Sequence, residues 1–470
     1  MALLSRSTRT VLEPAVEAEW APRLPSAISV GRGSALWLEG GLPPEASRLR
    51  RLRLEVDGER HGLLASRMPR PETITSGDWW WATVPIEPAD EDREIRVELH
   101  GTTRFLRRKV AIPLGTVGVS GSPGRGYQAE LALRDPAPPI GSIMGFVELQ
   151  PPVCICLPVR EPNAARLQQV FEGFRSQSYA NWRCVVYIES ATDVTTEIES
   201  IIAGDERFEL FQASRGSGAP GDVPHALELA PPEAPYVALA RENDRWHPRK
   251  LEIMLAAFET STLLAYSDTL PVVDGRPVVA PGARDADRNR EGEDLGRALL
   301  GSPANGGSVV IRRELLRYAL PLPPAPFAVS GVHWLTLVAR VLGTVRYVDA
   351  PLSDWMVTEE DSVGRPVDGS LDGSRNWRRD YFECVVVGAV LAEVLRVRCW
   401  ELMRPRDQRA LHGYLKGLRG ERTLRFLASG LRPTRVGNDV ARRYVRGLAW
   451  CHLAKARARF VSLLPSDPGD

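Results

Sequence analysis

Val153-Cys154-Ile155-Cys156-Leu157, Cys184-Val185-Val186-Tyr187-Ile188 and Tyr236-Val237-Ala238-Leu239 are three runs of strand length without a charged residue. Strands that are apolar throughout must be covered on both faces, as happens in a parallel sheet flanked by helices. Between the first two runs, Leu167, Val170, Phe171 and Phe174 fall on one side of a helical pattern. The spacing therefore predicts an α/β domain. In such sheets ligands bind beyond the carboxyl ends of the strands. The third run leads directly into Ala240-Arg241-Glu242-Asn243-Asp244, which makes that junction the first place to look for chemistry.

Outward from this centre the rhythm changes. Residues 1–148 are rich in Pro, Gly and Trp and alternate with period two in short runs such as Leu52-Arg53-Leu54-Glu55-Val56 and Ile95-Arg96-Val97-Glu98-Leu99, with Asp57-Gly58 as a turn. This predicts a small Ig-like β-sandwich, followed by a linker at Asp135-Pro136-Ala137-Pro138-Pro139. Trp79, Trp80 and Trp81 suggest sugar stacking, although on a strand they alternate faces, so that one or two of them read as ordinary core residues. Residues 149–373 form the α/β domain, and residues 374–470 read as a helical extension. Its last helix, over 439–464, sets six basic residues against the single acid Asp439, a pattern suited to an anionic membrane surface or to a solvated face.

Composition limits the function classes. A chain of 470 residues that is 43% hydrophobic can bury more than one core. Its 60 basic and 59 acidic side chains nearly cancel, so no global field draws it to nucleic acid. The six cysteines show no zinc spacing and suit a reducing compartment. With no apolar stretch of membrane-spanning length, the sequence predicts a cytoplasmic protein, peripheral on the inner membrane face if the basic helix docks.

Several words in order carry a family likeness. Leu157-Pro158-Val159-Arg160-Glu161-Pro162-Asn163 is followed by Gln177-Ser178-Tyr179-Ala180-Asn181-Trp182, then by Val185-Val186-Tyr187-Ile188-Glu189-Ser190-Ala191-Thr192-Asp193 and by Arg215-Gly216. The strongest word runs from Tyr236 through Asp244 to Trp246-His247-Pro248-Arg249-Lys250-Leu251-Glu252. Tyr266-Ser267-Asp268, Gly306-Gly307-Ser308, His333-Trp334 and Pro351-Leu352 follow. Together these resemble the family-2 glycosyltransferases, of the rhamnosyltransferase-like kind.

The resemblance implies a GT-A domain, a Rossmann-like sheet holding a nucleotide-diphosphate sugar, with a glycan or lipid-linked acceptor in cell-surface polysaccharide synthesis and inversion at the anomeric carbon. It places donor contacts on Pro158, Glu161, Glu189, Asp193, Arg215, Arg241 and Asn243, and catalytic roles on Asp244, Glu242, Asp268 and His333. A divalent cation, Mg or Mn, would rest on Asp244, neutralising the leaving diphosphate.

Departures from the pattern fall where the chemistry lies. Arg241 and Asn243 stand where the family has acidic residues, Ile188 replaces the nucleotide-strand aspartate, Val332 replaces the base, and Trp355-Met356-Val357-Thr358 replaces Tyr-Arg-x-His. Two expectations follow. Either the protein transfers sugar with Arg241 as a built-in cation, or it is a pseudo-glycosyltransferase kept as a binding or assembly module.

Overall fold

The computed structural model describes residues 10–11, 24–42, 49–68, 79–89, 91–103, 109–120, 150–160, 163–188, 195–212, 222–273, 275–277, 295–299, 301–302, 304, 306–323, 330–357 and 385–418. The basic segment 439–464 and the linker at 135–139 lie outside these residues.

Two sheets occupy the N-terminal region. One runs Thr10–Val11, Lys109–Ser120, Arg93–Thr102, Arg50–Val56, Glu59–Gly62, with Ala27–Ser29 also on Lys109–Ser120; the other runs Ser34–Gly40, Trp79–Ile86, Ala65–Met68. Asp57 and Gly58, with φ of 51° and 84°, make the two-residue turn that joins Arg50–Val56 to Glu59–Gly62. Alternate residues of both sheets, among them Leu36, Leu38, Leu54, Trp80, Val97 and Val117, share one core.

The three tryptophans do not offer rings to a sugar: Trp79, Trp80 and Trp81 are 5%, 0% and 1% exposed. Trp80 faces the shared core and donates from Nε1 to the Gly41 carbonyl at 2.8 Å. Trp79 and Trp81 point the other way, into the core that contains the helix Val387–Cys399. That helix, Val-Gly-Ala-Val-Leu-Ala-Glu-Val-Leu-Arg-Val-Arg-Cys, is apolar nearly all round. A helix of that kind needs cover on every side. It lies against Ser34–Gly40 and Trp79–Ile86 on one side and the helices Ser330–Leu342 and Pro405–Leu418 on others. All three rings are therefore core residues, one on the face shared by the two sheets and two on the face covered by a helix that begins at Val387.

The central sheet has the order Phe208–Gln212, Trp182–Ile188, Val153–Val159, Tyr236–Leu239, Val309–Arg312, Thr262–Val273, Thr344–Met356, Asp244–Trp246. The first four strands are parallel. Val309–Arg312 then runs antiparallel to both of its neighbours. Thr262–Val273 is parallel to Thr344–Met356, against which Asp244–Trp246 returns antiparallel. Alternation divides the side chains: Val153, Ile155 and Leu157 meet Leu167, Val170, Phe171 and Phe174 on one face, while Cys154 and Cys156 join the other core. Helix Ala164–Arg175 starts at Asn163, whose side chain accepts from the Arg166 amide. Its end packs on the return strand, Phe174 lying 4.7 Å from Trp246 edge to face.

Candidate functional site

The site is assembled where the parallel strands end. Tyr236–Leu239 leads through Ala240 to Arg241, and the turn that follows reverses the chain into Asp244–Trp246. That short strand is anchored twice. Asp244 lies opposite Trp355 and Trp246 opposite Ser353, and the Met356 amide donates to the Asn243 carbonyl at 2.9 Å. From the first strand, the Arg160 amide donates to Glu242 Oε2 at 3.1 Å, which ties the end of Val153–Val159 to the same turn. The short helix Gly306–Ser308 closes the side of the turn.

At its centre is a charged group of three. Arg241 donates from Nη2 to Asp244 Oδ1 at 2.8 Å and from Nε to Oδ2 at 3.2 Å, a two-point pairing of guanidinium with carboxylate. Asp244 is 1% exposed, whereas the Arg241 side chain is 31% exposed and sits 5.3 Å over the Trp355 ring. Beneath them Lys250 is wholly buried and donates to the Gly307 carbonyl and, at 2.9 Å, to Ser353 Oγ, with Nζ 4.1 Å over the Trp246 ring. Burial pushes its pKa down to about 7, against the pull of Asp244 and with help from Arg241. Gly307 must lack a side chain here: a Cβ would fall 1.3 Å from Asp244 Oδ2.

The other sequence-derived residues are dispersed or already engaged. Pro158 lies in the first strand opposite Tyr187, whose ring stacks on His225 at 5.3 Å. Asp268, half-buried, accepts from Tyr347 Oη at 2.5 Å. His333 is enclosed, donating from Nε2 to the Ala298 carbonyl at 2.6 Å, and burial drives its pKa down to about 4. The ring is thus held on a backbone carbonyl inside the protein. Ile188 is fully buried and Val332 half-buried. Glu161, Glu189, Asp193 and Arg215 lie outside the described residues. Sequence reasoning missed Lys250, Ser353 and Gly307 as parts of the site. Lys250 carried a signal, as the cation inside the strongest motif word.

A divalent cation does not fit this set. Such an ion needs several oxygen ligands, and the one carboxylate at the centre has both oxygens on Arg241, with Lys250 beside it. Among the described residues, the one group of three His, Cys, Asp or Glu side chains close enough to share an ion is Glu55, Glu98 and His100, in the N-terminal sheet. A groove of about 580 Å³ borders the return strand, lined by Gln169, Glu172, Ser176, Arg245, His247 and Asp354, among others. In it Arg245 and His247 both pair with Asp354, at 2.9 and 3.3 Å.

No family model matches the chain. It is 22% identical over 205 residues to an uncharacterised glycosyltransferase of Nostoc sp., a match covering 42% of this chain and 62% of that protein. The chain is similar to a curated protein named as a glycosyltransferase. It thus spans about three-fifths of the length of that curated relative. Among solved structures, a Pyrobaculum calidifontis mannosyltransferase in complex with GDP-Man and Mn2+ is 15% identical, with a TM-score of 0.39, covering 70% of this chain and 93% of that one. Staphylococcus aureus TarS in complex with UDP-GlcNAc is also 15% identical with a TM-score of 0.39, covering 65% and 91%. No helix among the described residues is long and apolar enough to cross a membrane.

Proposed function

We propose that the central region is a GT-A nucleotide-sugar domain of the family-2 type, transferring a sugar from a nucleoside-diphosphate donor to a glycan or lipid-linked acceptor with inversion. One observation carries this reading. Four segments far apart in sequence, around Arg160, Arg241–Asp244, Gly306–Ser308 and Ser353–Trp355, meet in a single network at the carboxyl ends of parallel strands. Three of the four lie in the motif words that resemble donor-site words of the family, and the fourth follows the Pro351-Leu352 word directly. The flanking regions, a two-sheet sandwich and a helical extension, are accessory units in this reading, and the setting is polysaccharide synthesis at the inner membrane face.

Transfer needs a base to take the acceptor proton. Glu242 and Asp268 are the described carboxylates assigned to that task, the first accepting from the Arg160 amide and the second from the Tyr347 hydroxyl. A second reading, a binding module without turnover, draws on Ile188 and Val332, which place hydrocarbon where the family resemblance asks for carboxylates. A thermal-shift titration of the full chain with UDP-, GDP- and dTDP-sugars decides between donor binding and none, because a ligand at 100 times its Kd adds about 2.7 kcal/mol. Stabilisation by one donor, with nucleoside diphosphate released in the presence of lipid-linked glycan, is the expected result. Stabilisation without release favours the binding module. No stabilisation by any donor ends the nucleotide-sugar reading and favours an assembly module.

A further inference from the structure

We infer that this site holds the donor diphosphate with the Arg241 guanidinium and without a divalent metal. The inference rests on the nucleotide-sugar reading above and concerns how that site neutralises its ligand.

Charge decides which ion the site attracts. A metal-binding cleft is anionic before its ion arrives, since carboxylates supply both ligands and charge. Here Arg241 cancels Asp244, and Lys250 adds either nothing or one further positive charge. The three groups therefore carry no net negative charge in either state of the lysine, and the neighbouring Glu242 already accepts from the Arg160 amide. Such a set offers a divalent ion no uncommitted carboxylate at its centre, whereas a guanidinium suits a pyrophosphate group. A metal reaching Asp244 would also have to break both guanidinium contacts, inside a space where the carboxylate is only 1% exposed.

Geometry makes the guanidinium ready for phosphate. Asp244 fixes its plane through two N–H groups, which leaves the remaining three of its five donors for other acceptors. The Trp355 ring lies 5.3 Å beneath the cation, and the backbone at Gly306 borders its stem, a Cβ there falling 3.2 Å from Arg241 Cδ. Asp244 is in turn fixed by its surroundings: Gly307 passes against its carboxylate, and Lys250 ties the Gly307 carbonyl to Ser353. The side chain is thus oriented before any ligand binds, while nearly a third of it remains open to solvent. A planar fork held in this way suits the oxygens of a diphosphate, and a lysine in its place would offer only a point charge.

The test is calorimetric titration of the full chain with UDP, GDP, dTDP, ADP and CDP, in EDTA and in Mn2+. One nucleotide should bind with the same affinity in both buffers. Arg241→Gln should weaken it about 10- to 100-fold, the effect of losing charge-assisted hydrogen bonds, and Arg241→Lys by less. Arg241→Asp, which restores the family's residue type, should bind only with Mn2+; because it gains a requirement, misfolding cannot imitate it. Binding that disappears in EDTA, or that survives Arg241→Gln within threefold, overturns the inference and leaves the nucleotide-sugar reading intact. Failure of all five nucleotides in both buffers overturns the reading and the inference with it.

Discussion

Lys250 and Arg398 are both basic side chains enclosed by protein, and they serve different ends. Arg398 lies in the helix Val387–Cys399 and donates to the Gly33, Tyr318 and Ala319 carbonyls, its guanidinium 5.4 Å over the Trp334 ring. Those carbonyls belong to the N-terminal sheets and the central domain, so one cation joins three segments. Burial pulls its pKa down to about 10, and it stays charged. Lys250 also bridges segments, through Gly307 and Ser353, but it faces Asp244, which holds the half-open Arg241. The difference teaches how to read a buried cation. One that ends on carbonyls is a joint, and one whose network continues through a carboxylate to a solvent-facing group belongs to a site.

The joint should break with the largest effect. Arg398→Met keeps the volume but takes the guanidinium from the Gly33 and Tyr318 carbonyls, the Ala319 carbonyl keeping the Trp334 indole as donor, and each orphaned group costs roughly 1–3 kcal/mol. A loss of about 4 kcal/mol is expected in urea denaturation, with the N-terminal sheets melting apart from the central domain. A loss below about 1 kcal/mol would remove Arg398 from the role of joint. The tryptophans sharpen the same point. Trp81→Ala opens a cavity between the sheet and the helix, at about 3 kcal/mol, and should also separate the two transitions. Trp80→Ala, within the shared core of the two sheets, should lower the N-terminal transition alone.

These residues also show how far the sequence could be read. The parallel strands were legible because runs such as Val153–Leu157 need cover on both faces, and that requirement is local to the run. The helix stripe of Leu167, Val170, Phe171 and Phe174 was legible for the same reason. What covers Trp79 and Trp81 was not legible, because the covering helix begins at Val387 and no periodicity connects the two. The site was legible as a place, at the end of Tyr236–Leu239, but the Arg241–Asp244 pairing depends on a turn and on side-chain rotamers. The bond from Lys250 to Ser353 spans 103 residues and leaves no trace in either segment alone.

His333 provides a neutral counterpart to the two cations. Its folded pKa of about 4 lies below the ordinary value of 6.5, so between those values the unfolded chain binds the extra proton. Stability should therefore rise with pH across that window and fall by about 3 kcal/mol on acidification from pH 7 to 4. His333→Gln, whose amide can still donate to the Ala298 carbonyl, should remove this part of the acid sensitivity. An unchanged profile between pH 4 and 6.5 would show that the imidazole is accessible to protons in the folded state.

The smallest stability effect and the finest test concern Lys250. At pH 7 Lys250→Met relieves a desolvated amine but takes its donor from the Gly307 carbonyl and from Ser353 Oγ, so a loss of about 1–2 kcal/mol is expected. The pH profile is what separates the proteins. The folded pKa near 7 lies below the unfolded value of 10.5, so the unfolded state again holds more protons in between, and the wild-type chain gains stability as pH rises. From pH 7 to 8.5 the gain relative to Lys250→Met should be about 1.5 kcal/mol. A flat difference would mean that Lys250 is charged throughout, held by Asp244 more strongly than burial opposes it. The three central groups would then carry a fixed positive charge. The two outcomes differ in how the affinity for a nucleoside diphosphate varies with pH: a titrating lysine weakens it above pH 7, and a permanently charged one leaves it level.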